Sequence, residues 1–510
     1  MMILLKLMII LLSFIIVVLS SLFKDEELIK LRDETKDMFL HAYHSYIHYG
    51  LPFDEVFPIS CKPRSYKHRI RGDLDDVLGN YYLTLVDSLD SLVLLREEDE
   101  FFKAIEILKN KLTFNTDIDV SVFETNIRIL GGLLSAHQLC ILLSKNSIYK
   151  FKYDDNFLLQ KSKDLANRLL PAFQTKTGIP IHRINLKYGI RLNETTTNCP
   201  AAAGSFIMEF GLLSRLLNDK KYENIAFKAT KGIFDRRSKI DLIGSLIDVT
   251  NGNWIFTHSS IGAGFDSYFE YLIKGYALLG DQRLLKMFDI TYNAIQKNLF
   301  LNNNTYIEVD MNKGNPYSFF ISSLSAFFPT VQVLYGKVFD AKINFRTWER
   351  YYQKYDGLPD IYDIGNDRFL EFGKGYYNRP EMIESAYNLY MATRDDKYLS
   401  FALSFLQNVN KTKSKCGFAS YTDISLKSAN FDDRMDSFVI SETLKYLYLI
   451  FDEAIKVYKL RKSFFCAPSN IYNFSNVSCV SKESTIFTTE GHLFIIPGEK
   501  SNLSLKTCPA

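Results

Sequence analysis

The feature that most constrains the fold is a repeated pattern of an acidic residue followed by a polar turn. Glu209 precedes LLNDKKYENIAF, Glu270 precedes LLGDQRLLKMFD, Glu384 precedes ATRDDKYLSFAL, and Asp87 precedes LLREEDEFFKAI in the same manner. In each case a segment of helical character ends in a turn that contains Asp or Glu, and a second helix is predicted to begin after it. Repeated helical hairpins at roughly 50–60-residue spacing predict a solenoid or a closed ring of helix pairs.

The acidic residues of this repeat have strongly apolar neighbours, as in the segment FIMEF at 206–210. That context places them on the buried side of their helices, where an unpaired carboxylate would cost several kcal/mol. A single buried acid could be a core group satisfied by a partner. Four of them in equivalent positions favour a polar pocket that is lined by carboxylates.

Three further clusters fit such a pocket. The Arg-Pro-Glu sequence at 379–381 opens a predicted helix that carries Glu384 one turn later, an arrangement that the helix dipole favours. Glu124 and Arg128 stand at i,i+4 and form either a helical ion pair or a catalytic acid positioned by an arginine. Residues 486–496, which contain one Thr-Glu-x-His group, predict a strand or a hairpin.

Composition argues against several kinds of partner. Sixty-one basic and fifty-eight acidic residues leave almost no net charge, so neither nucleic acid nor an anionic membrane surface is expected to bind. With 47% hydrophobic residues the chain can bury a large core, and its 14% aromatic content is typical of such a core and also of sugar binding. No Pro- or Ser-rich linker divides residues 28–455, which predicts one mostly helical unit with short loops.

The N-terminus indicates the compartment. Lys6 precedes an apolar run of 17 residues from Leu7 to Phe23, and a charged segment follows at 24–27. The pattern predicts a signal peptide over residues 1–23, or an uncleaved signal anchor, because about 17 residues is the lower limit of a membrane span. Either directs the chain into the secretory pathway, and contact with a membrane is expected only through that anchor.

Two other features agree with an oxidising lumen. Acceptor motifs for N-glycosylation occur at Asn193, Asn303, Asn410, Asn473, Asn476 and Asn502. The seven cysteines show neither a CxxC motif nor a Cys/His metal spacing, and they are Cys61, Cys140, Cys199, Cys416, Cys466, Cys479 and Cys508. Dispersed cysteines in such a compartment predict a few disulfides rather than a zinc site, with at least one thiol free or paired with another protein.

Together these segments resemble glycoside hydrolase family 47, the α1,2-mannosidases, and most closely its ER degradation-enhancing α-mannosidase-like (EDEM) branch. The resemblance runs from about residue 36 to 495, and the long motifs that carry it lie at 71–95, 121–137, 261–276, 375–390 and 432–451. It implies an all-α fold, in which residues 28–495 form an (α/α)7 barrel of helical hairpins closed by a small C-terminal β-hairpin. Residues 496–510 are then a short tail.

The resemblance also implies the roles of individual residues. Its motifs FExxIR, DSYxEY and RPE give Glu124 as the acid, Asp266 as a member of the catalytic cluster and Glu381 as the base, although the sequence alone leaves these three roles exchangeable. The residues implied to bind the sugar are Arg128, Glu209, Arg379, Glu384, Phe438, Glu442 and Glu490, with Phe438 as an aromatic floor.

Calcium is the implied cofactor. The hydroxyl and the carbonyl of Thr489 are implied to hold the ion, with Glu490 in support. Calcium takes six to eight oxygen ligands, so buried carboxylates, one threonine, water and the hydroxyls of a sugar make a suitable host.

Three positions favour the EDEM branch. Gly264 stands where the processing enzymes of the family carry an arginine that reaches into the sugar channel, which disfavours a Golgi processing mannosidase and leaves the preferred mannose branch open. Cys61 and Cys416 lie in segments that resemble the EDEM branch, where a disulfide links the two ends of the ring. The same branch implies a protein disulfide isomerase as a partner, joined through one of the remaining cysteines.

The expected function is therefore that of a calcium-dependent, inverting α1,2-mannosidase in the endoplasmic-reticulum lumen. It is expected to trim high-mannose N-glycans on misfolded glycoproteins and so mark them for ER-associated degradation. The alternative is a mannose-binding lectin that delivers such glycoproteins without cutting them. Both hypotheses require calcium and Phe438. Carboxylates are present at all of the implied acid and base positions, which favours the enzyme.

Overall fold

The structure is a computed structural model that describes residues 23–146, 148–149, 151–301, 304–426, 430–466 and 484–496, with side chains of the last long helix described to Tyr458. Several predictions fall outside this part of the chain. They concern the signal segment 1–22, the acceptor motifs at Asn303, Asn473, Asn476 and Asn502, the side chains of Cys466, Cys479 and Cys508, and the tail 497–510. The two remaining acceptors, Asn193 and Asn410, are exposed.

The described residues form helical hairpins arranged as a closed ring, so the predicted (α/α)7 barrel is confirmed. Odd-numbered helices form the outer layer: α1 (Asp25–Ser45), α3 (Glu98–Lys111), α5 (Phe157–Leu169), α7 (Lys221–Phe234), α9 (Gln282–Asn298), α11 (Val338–Tyr355) and α13 (Lys397–Lys411). Even-numbered helices form the inner layer: α2 (Leu83–Asp87 and Leu89–Leu94), α4 (Val122–Ser144), α6 (Pro200–Gly204 and Ile207–Leu217), α8 (Asp266–Leu279), α10 (Ser323–Leu334), α12 (Glu381–Thr393) and α14 (Leu444–Cys466). The ring closes because α14 packs along α1.

The two layers differ in what they bury. The outer helix α9 buries one stripe that includes Leu284, Phe288 and Ile295, as expected of an amphipathic helix. The inner helix α4 buries nearly all of its residues over the segment 131–143. Helix α4 is long and apolar enough to cross a membrane by length and composition, but 83% of its apolar stretch is buried inside the barrel, so we assign it to the core.

Short turns lead from inner to outer helices, as the acidic repeat predicts. Residues with positive φ end or follow the inner helix in several of these turns, and they are Arg96, Asn218, Gly280, Gly336 and Arg394. The left-handed conformation stops a helix while still allowing its last carbonyls to be bonded. An acidic residue then begins the outer helix, as where Asp281 accepts the backbone N–H of Arg283 at 2.9 Å.

The connections from outer to inner helices are longer than the short loops that the sequence predicts. They carry small antiparallel sheets of two or three strands, and strands of two or three residues are too short to produce a visible alternation. The strands are β1 (Glu55–Val56), β2 (Pro63–Arg64), β3 (Asp119–Ser121), β4 (Arg183–Asn185), β5 (Thr197–Asn198), β6 (Leu246–Asp248), β7 (Trp254–Phe256), β8 (His258–Ser259), β9 (Glu308–Asp310), β10 (Pro316–Ser318), β11 (Phe320–Ser322), β12 (Ile361–Asp363), β13 (Arg368–Phe369), β14 (Lys413–Ser414), β15 (Gly417–Phe418), β16 (Ser420–Tyr421) and β17 (Phe431–Asp432).

A final hairpin, β18 (Thr485–Phe487) with β19 (Leu493–Ile495), lies inside the ring, as predicted. Ser135 Oγ of α4 donates to the carbonyl of Leu493 at 2.7 Å, and the N–H of Leu493 donates to Asp90 Oδ2 of α2 at 2.8 Å. Lys445 Nζ of α14 donates to the carbonyl of Gly491. The hairpin is therefore bonded to three inner helices and fills the middle of the barrel.

A disulfide joins the two ends of the ring. Cys61 lies in the connection between α1 and α2, and Cys416 lies in the connection between α13 and α14. Their Cα atoms are 5.5 Å apart and their sulfurs are bonded, so the pairing that the resemblance implies is present. Of the other cysteines whose side chains are described, Cys140 and Cys199 are free.

Candidate active site

The three predicted catalytic carboxylates stand at the start of inner helices. Glu124 lies in the first turn of α4, and Asp266 and Glu381 are the first residues of α8 and α12. Ser121 caps α4 by accepting the backbone N–H of Glu124 at 3.2 Å, so the helix begins there. A carboxylate in the first turn of a helix is stabilised by the helix dipole. The inner helices run in the same direction, which brings these acids to one end of the barrel.

The charges of these acids act on one another. Burial raises the pKa of Asp266 to about 7, and the negative charges of Glu270 and Glu124 add to the rise. Burial raises the pKa of Glu381 to about 8, which Arg379 opposes and Asp266 reinforces. Two carboxyls that can hold a proton near neutral pH therefore lie in the same electrostatic neighbourhood as Glu124.

Arg128 links Glu124 to the closing hairpin. Its Nε donates to Glu124 Oε2 at 2.8 Å, its Nη1 binds Glu490, and Nη1 lies 3.6 Å from Asp87 Oδ2. Burial alone would lower the pKa of Arg128, but the negative charges of Glu490, Glu124 and Asp87 raise that pKa well above its usual value. The helical ion pair of the first interpretation therefore forms and orients Glu124, while the catalytic role of Glu124 stays a prediction.

Two guanidinium groups lie near the ring of Phe438. The guanidinium carbons of Arg128 and Arg379 are 5.9 Å and 5.8 Å from the centroid of its ring. Arg379 Nε donates to Asp360 Oδ1 at 2.8 Å, which fixes that guanidinium close to Glu381. An apolar ring flanked by hydrogen-bond donors suits a sugar, which presents C–H groups on its faces and hydroxyls at its edge.

The other predicted sugar-binding carboxylates lie deeper in the barrel. Glu209 accepts hydrogen bonds from Asn126 Nδ2 at 2.9 Å and from the hydroxyl of Tyr271 at 2.6 Å, and burial raises its pKa to about 8. Glu384 lies 3.5 Å from Lys274 Nζ. Burial raises the pKa of Glu384 to about 8, although Lys274 opposes the rise.

Glu442 lies against the turn of the closing hairpin. A Cβ atom added at Gly491 would stand 3.1 Å from Glu442 Cγ, and the φ of Gly491 is +66°, so both the space and the backbone require glycine. Burial raises the pKa of Glu442 well above its usual value, and the charges of Glu490 and Glu381 add to the rise, whereas Arg128 opposes it.

Sequence reasoning missed two buried lysines that hold this region together. Lys274 binds Glu270 on its own helix, and Lys445 Nζ lies 3.0 Å from both carboxylate oxygens of Asp90. Both lysines are almost fully buried, which only a paired cation tolerates. The sequence does contain a signal for each lysine. Lys274 follows Glu270, an acidic residue of the repeat, by four positions, and Lys445 interrupts an apolar helix.

His492 lies between two aspartates of α2. Its Nε2 is 3.3 Å from Asp87 Oδ1 and its Nδ1 is 3.7 Å from Asp90 Oδ1. These are ion-pair distances, and neither ring nitrogen makes a well-aligned hydrogen bond. Burial opposes the charged imidazole, but the two aspartates raise the pKa of His492 to about 9, so the ring is charged at neutral pH.

The residues around Thr489 fit a hard cation. Thr489 is half-buried at the tip of the hairpin, and its backbone lies beside the hydroxyl of Tyr271. Within the described ranges no three His, Cys, Asp or Glu side chains converge into a metal site by themselves. Among the groups described for this site, carboxyl groups nevertheless outnumber cations, with Asp87, Asp90, Glu124, Glu209, Asp266, Glu270, Asp360, Glu381, Glu384, Glu442 and Glu490 against Arg128, Lys274, Arg379, Lys445 and His492. Clustered oxygen donors of this kind are what Ca²⁺ prefers.

Comparison with known proteins agrees with this geometry. The sequence profile of glycosyl hydrolase family 47 matches residues 38–496. The chain is 40% identical to human ER degradation-enhancing alpha-mannosidase-like protein 2 over 425 residues, which are 82% of this chain and 70% of that protein. It is 37% identical to an alpha-mannosidase I of Arabidopsis thaliana over 480 residues, which are 94% of this chain and 72% of that protein.

A solved structure shows the same fold. The alpha-1,2-mannosidase from Trichoderma reesei matches with a TM-score of 0.75 at 22% identity, over 92% of this chain and 99% of that chain. The resemblance found in the sequence is thereby confirmed. Because the profile spans most of the chain and the relatives exceed 30% identity over most of it, this protein belongs to glycosyl hydrolase family 47.

Proposed function

We propose that the protein is a calcium-dependent, inverting α1,2-mannosidase of the endoplasmic-reticulum lumen. Its substrates are high-mannose N-glycans on misfolded glycoproteins, and trimming marks these for ER-associated degradation. The observation that carries the proposal is the placement of Glu124, Asp266 and Glu381 at helix ends around Phe438. Relatives named as ER degradation-enhancing alpha-mannosidase-like proteins support the compartment and the pathway.

Inversion needs a proton donor on one side of the sugar and a carboxylate that activates water on the other, about 6.5–9.5 Å apart. The candidate acids come from the three separate helices α4, α8 and α12, which can hold them on different walls of the pocket. Asp266 and Glu381 have pKa values raised to about 7 and about 8, so either can carry a proton at neutral pH. Arg128 fixes the direction of the Glu124 carboxylate.

A calcium ion at Thr489 would supply positive charge to bind the hydroxyls of the sugar. The residues of this chain orient that region. Lys274 Nζ donates to the carbonyl of Thr488 at 3.2 Å, and Arg128 binds Glu490, so the hairpin tip is held from two sides.

The second candidate is a lectin that binds the glycan in the same pocket without cutting it. Phe438, Arg379 and the deep carboxylates serve both functions, so they do not separate the two. The presence of all three candidate catalytic carboxylates favours the enzyme.

Glycan profiling tests the proposal. The full chain is incubated in calcium with a high-mannose glycoprotein, once folded and once denatured, and the released N-glycans are analysed by mass spectrometry. Loss of mannose, greater on the denatured protein, is the expected result. If the glycans stay intact and the chain still binds them, the result would contradict the enzyme hypothesis and support the lectin hypothesis.

Two further parts of the proposal concern the chain's surroundings. Residues 1–23 act as a signal peptide or as an anchor in the ER membrane, and a protein disulfide isomerase binds through a mixed disulfide. Of the two free cysteines whose side chains are described, Cys140 is buried and Cys199 is half-buried. Co-purification under non-reducing conditions, followed by peptide mapping, identifies the cysteine used.

Calcium removal is expected to lower both thermal stability and activity, because the ion ties the hairpin tip to the floor of the ring. An ion present at 100 times its Kd adds about 2.7 kcal/mol to the free energy of unfolding. Calorimetry with calcium and with chelator measures this, and Thr489→Ala should remove most of the difference. Thr196→Ala, at an exposed threonine, is the matched control. Equal melting temperatures with calcium and with chelator would disprove the metal assignment.

A further inference from the structure

Exposed aromatic side chains gather on two of the connections next to Asp266. Phe256 ends β7, His258 begins β8, and Tyr317 lies in β10. Phe256 and Tyr317 are 55% and 63% exposed, which is unusual for large rings that pack against a neighbour. We call these three side chains the aromatic platform.

The platform is an ordered surface. The rings of His258 and Tyr317 stack, with centroids 4.9 Å apart and planes inclined by 14°. The ring of Phe256 lies 6.4 Å from that of His258, inclined by 33°. Phe256 and His258 are two residues apart in extended chain, so their side chains point to the same side.

The platform continues into the candidate active site. The ring of His258 is 6.4 Å from the ring of Phe265, and Phe265 immediately precedes Asp266. A Cβ atom added at Gly262 would stand 2.4 Å from Ser325 Oγ, so the turn before Asp266 packs directly on the start of α10.

The connection that carries Tyr317 reaches the same pocket from the other side. It passes through the exposed Phe319 and Phe320 and enters α10 at Ser323. The backbone N–H of Ser323 donates to the carbonyl of Asp360 at 3.0 Å, and the carboxylate of Asp360 holds Arg379. The two aromatic connections therefore meet at the rim above Asp266 and Glu381.

Polar groups alternate with the rings. The Thr257 hydroxyl donates to Asp310 Oδ2 at 3.2 Å, and the Ser318 hydroxyl donates to Glu308 Oε2 at 2.6 Å. Flat rings separated by hydroxyls and carboxylates match a sugar, whose C–H face stacks on a ring while its edge hydroxyls exchange hydrogen bonds. A segment of unfolded polypeptide would be better served by a continuous apolar groove.

We propose that the aromatic platform is a second sugar subsite, which holds a mannose on a neighbouring arm of the same glycan. The inference rests on the proposed function, since the pocket beside Asp266 must take the terminal mannose. The platform gives the protein a preference for the branched glycan over a mannose disaccharide, because a disaccharide in the pocket does not extend to the rim.

Affinity measurements with two ligands test the subsite. Calorimetric titrations use the full chain carrying Glu124→Gln, which binds without cutting, and compare a free Man9 glycan with α1,2-mannobiose. Tyr317→Ala and Phe256→Ala are each added to this variant. Each should raise the Kd for Man9 by about tenfold, since one aromatic contact contributes up to about a tenfold change in Kd. Mannobiose binding should change by much less. Tyr317→Trp, which keeps a stacking surface, should retain the affinity for Man9.

Phe339→Ala is the matched control, because Phe339 is 74% exposed on the outer helix α11 and lies away from the rim. Equal losses for Man9 and mannobiose, or no loss for either, would overturn the subsite and leave the proposed function standing. A variant that binds Man9 normally but loses binding to an unglycosylated denatured protein would make the platform a polypeptide surface instead. If neither sugar binds before the platform is changed, the proposed function fails and the subsite fails with it.

Discussion

Changing Glu124 to Gln is expected to slow mannose release by about 10²–10⁴-fold while leaving the fold and glycan binding nearly intact. An amide can neither donate a carboxyl proton nor take one up, and proton transfer in the transition state contributes a factor of this size. The fold should survive, because the amide oxygen can still accept the hydrogen bond that Arg128 Nε donates at 2.8 Å. Initial rates of mannose release, together with glycan affinity, measure the two effects separately.

Glu106→Gln is the matched control, since Glu106 is exposed on the outer helix α3. Its rate should equal that of the wild type. Trimming by Glu124→Gln at the wild-type rate would remove Glu124 from the catalytic set and leave Asp266 and Glu381 to supply both the acid and the base.

Replacing both Cys61 and Cys416 with serine is expected to lower the free energy of unfolding by roughly 3–5 kcal/mol. The bond joins residues 355 positions apart. Loop-closure entropy assigns such a loop about 5–6 kcal/mol, and residual structure in the unfolded chain reduces that figure. The midpoint of urea unfolding under non-reducing conditions should therefore fall clearly.

Cys199→Ser serves as the control for this experiment, because Cys199 is free and a serine can take over its cap on the N–H of Ala202. That variant should unfold at nearly the wild-type midpoint. Two results would contradict a stabilising disulfide between these residues. One is an unchanged midpoint for the double variant, and the other is peptide mapping that recovers both Cys61 and Cys416 as free thiols.

The helix pairs were predictable because the helices show their own periodicity and four of the inner-to-outer turns contain an acidic residue. The apolar residues at three- and four-residue spacing predict helices over 266–279 and 204–217; the first forms α8 without a break, whereas the second breaks at Ser205 and Phe206. The outer-to-inner connections were not predictable, because their strands pair across distances that leave no local pattern. In particular, Val309 of β9 pairs with both Ser259 and Pro316.

Likewise, only some residues of the candidate site could be predicted from the sequence. Its acids stand out in the sequence because they lie among apolar residues or in recognisable motifs. Their partners are set by tertiary contacts, as when Lys445 reaches Asp90 across 355 positions or Asp360 holds Arg379. The aromatic platform was hidden for the same reason, since Phe256 and Tyr317 come together only through the folding of two separate connections.

The position of the closing hairpin determines when, during synthesis, the pocket can be completed. Leu493 bonds to Asp90 across 403 positions of sequence, and Glu490 binds Arg128, the arginine that orients Glu124. At about 5–20 residues per second, a ribosome needs about 20–80 s to make the stretch between these two bonded residues. A growing chain can therefore build most of the wall of the barrel before the closing hairpin has been made. Sugar binding of the proposed kind begins only after synthesis has passed the last strand.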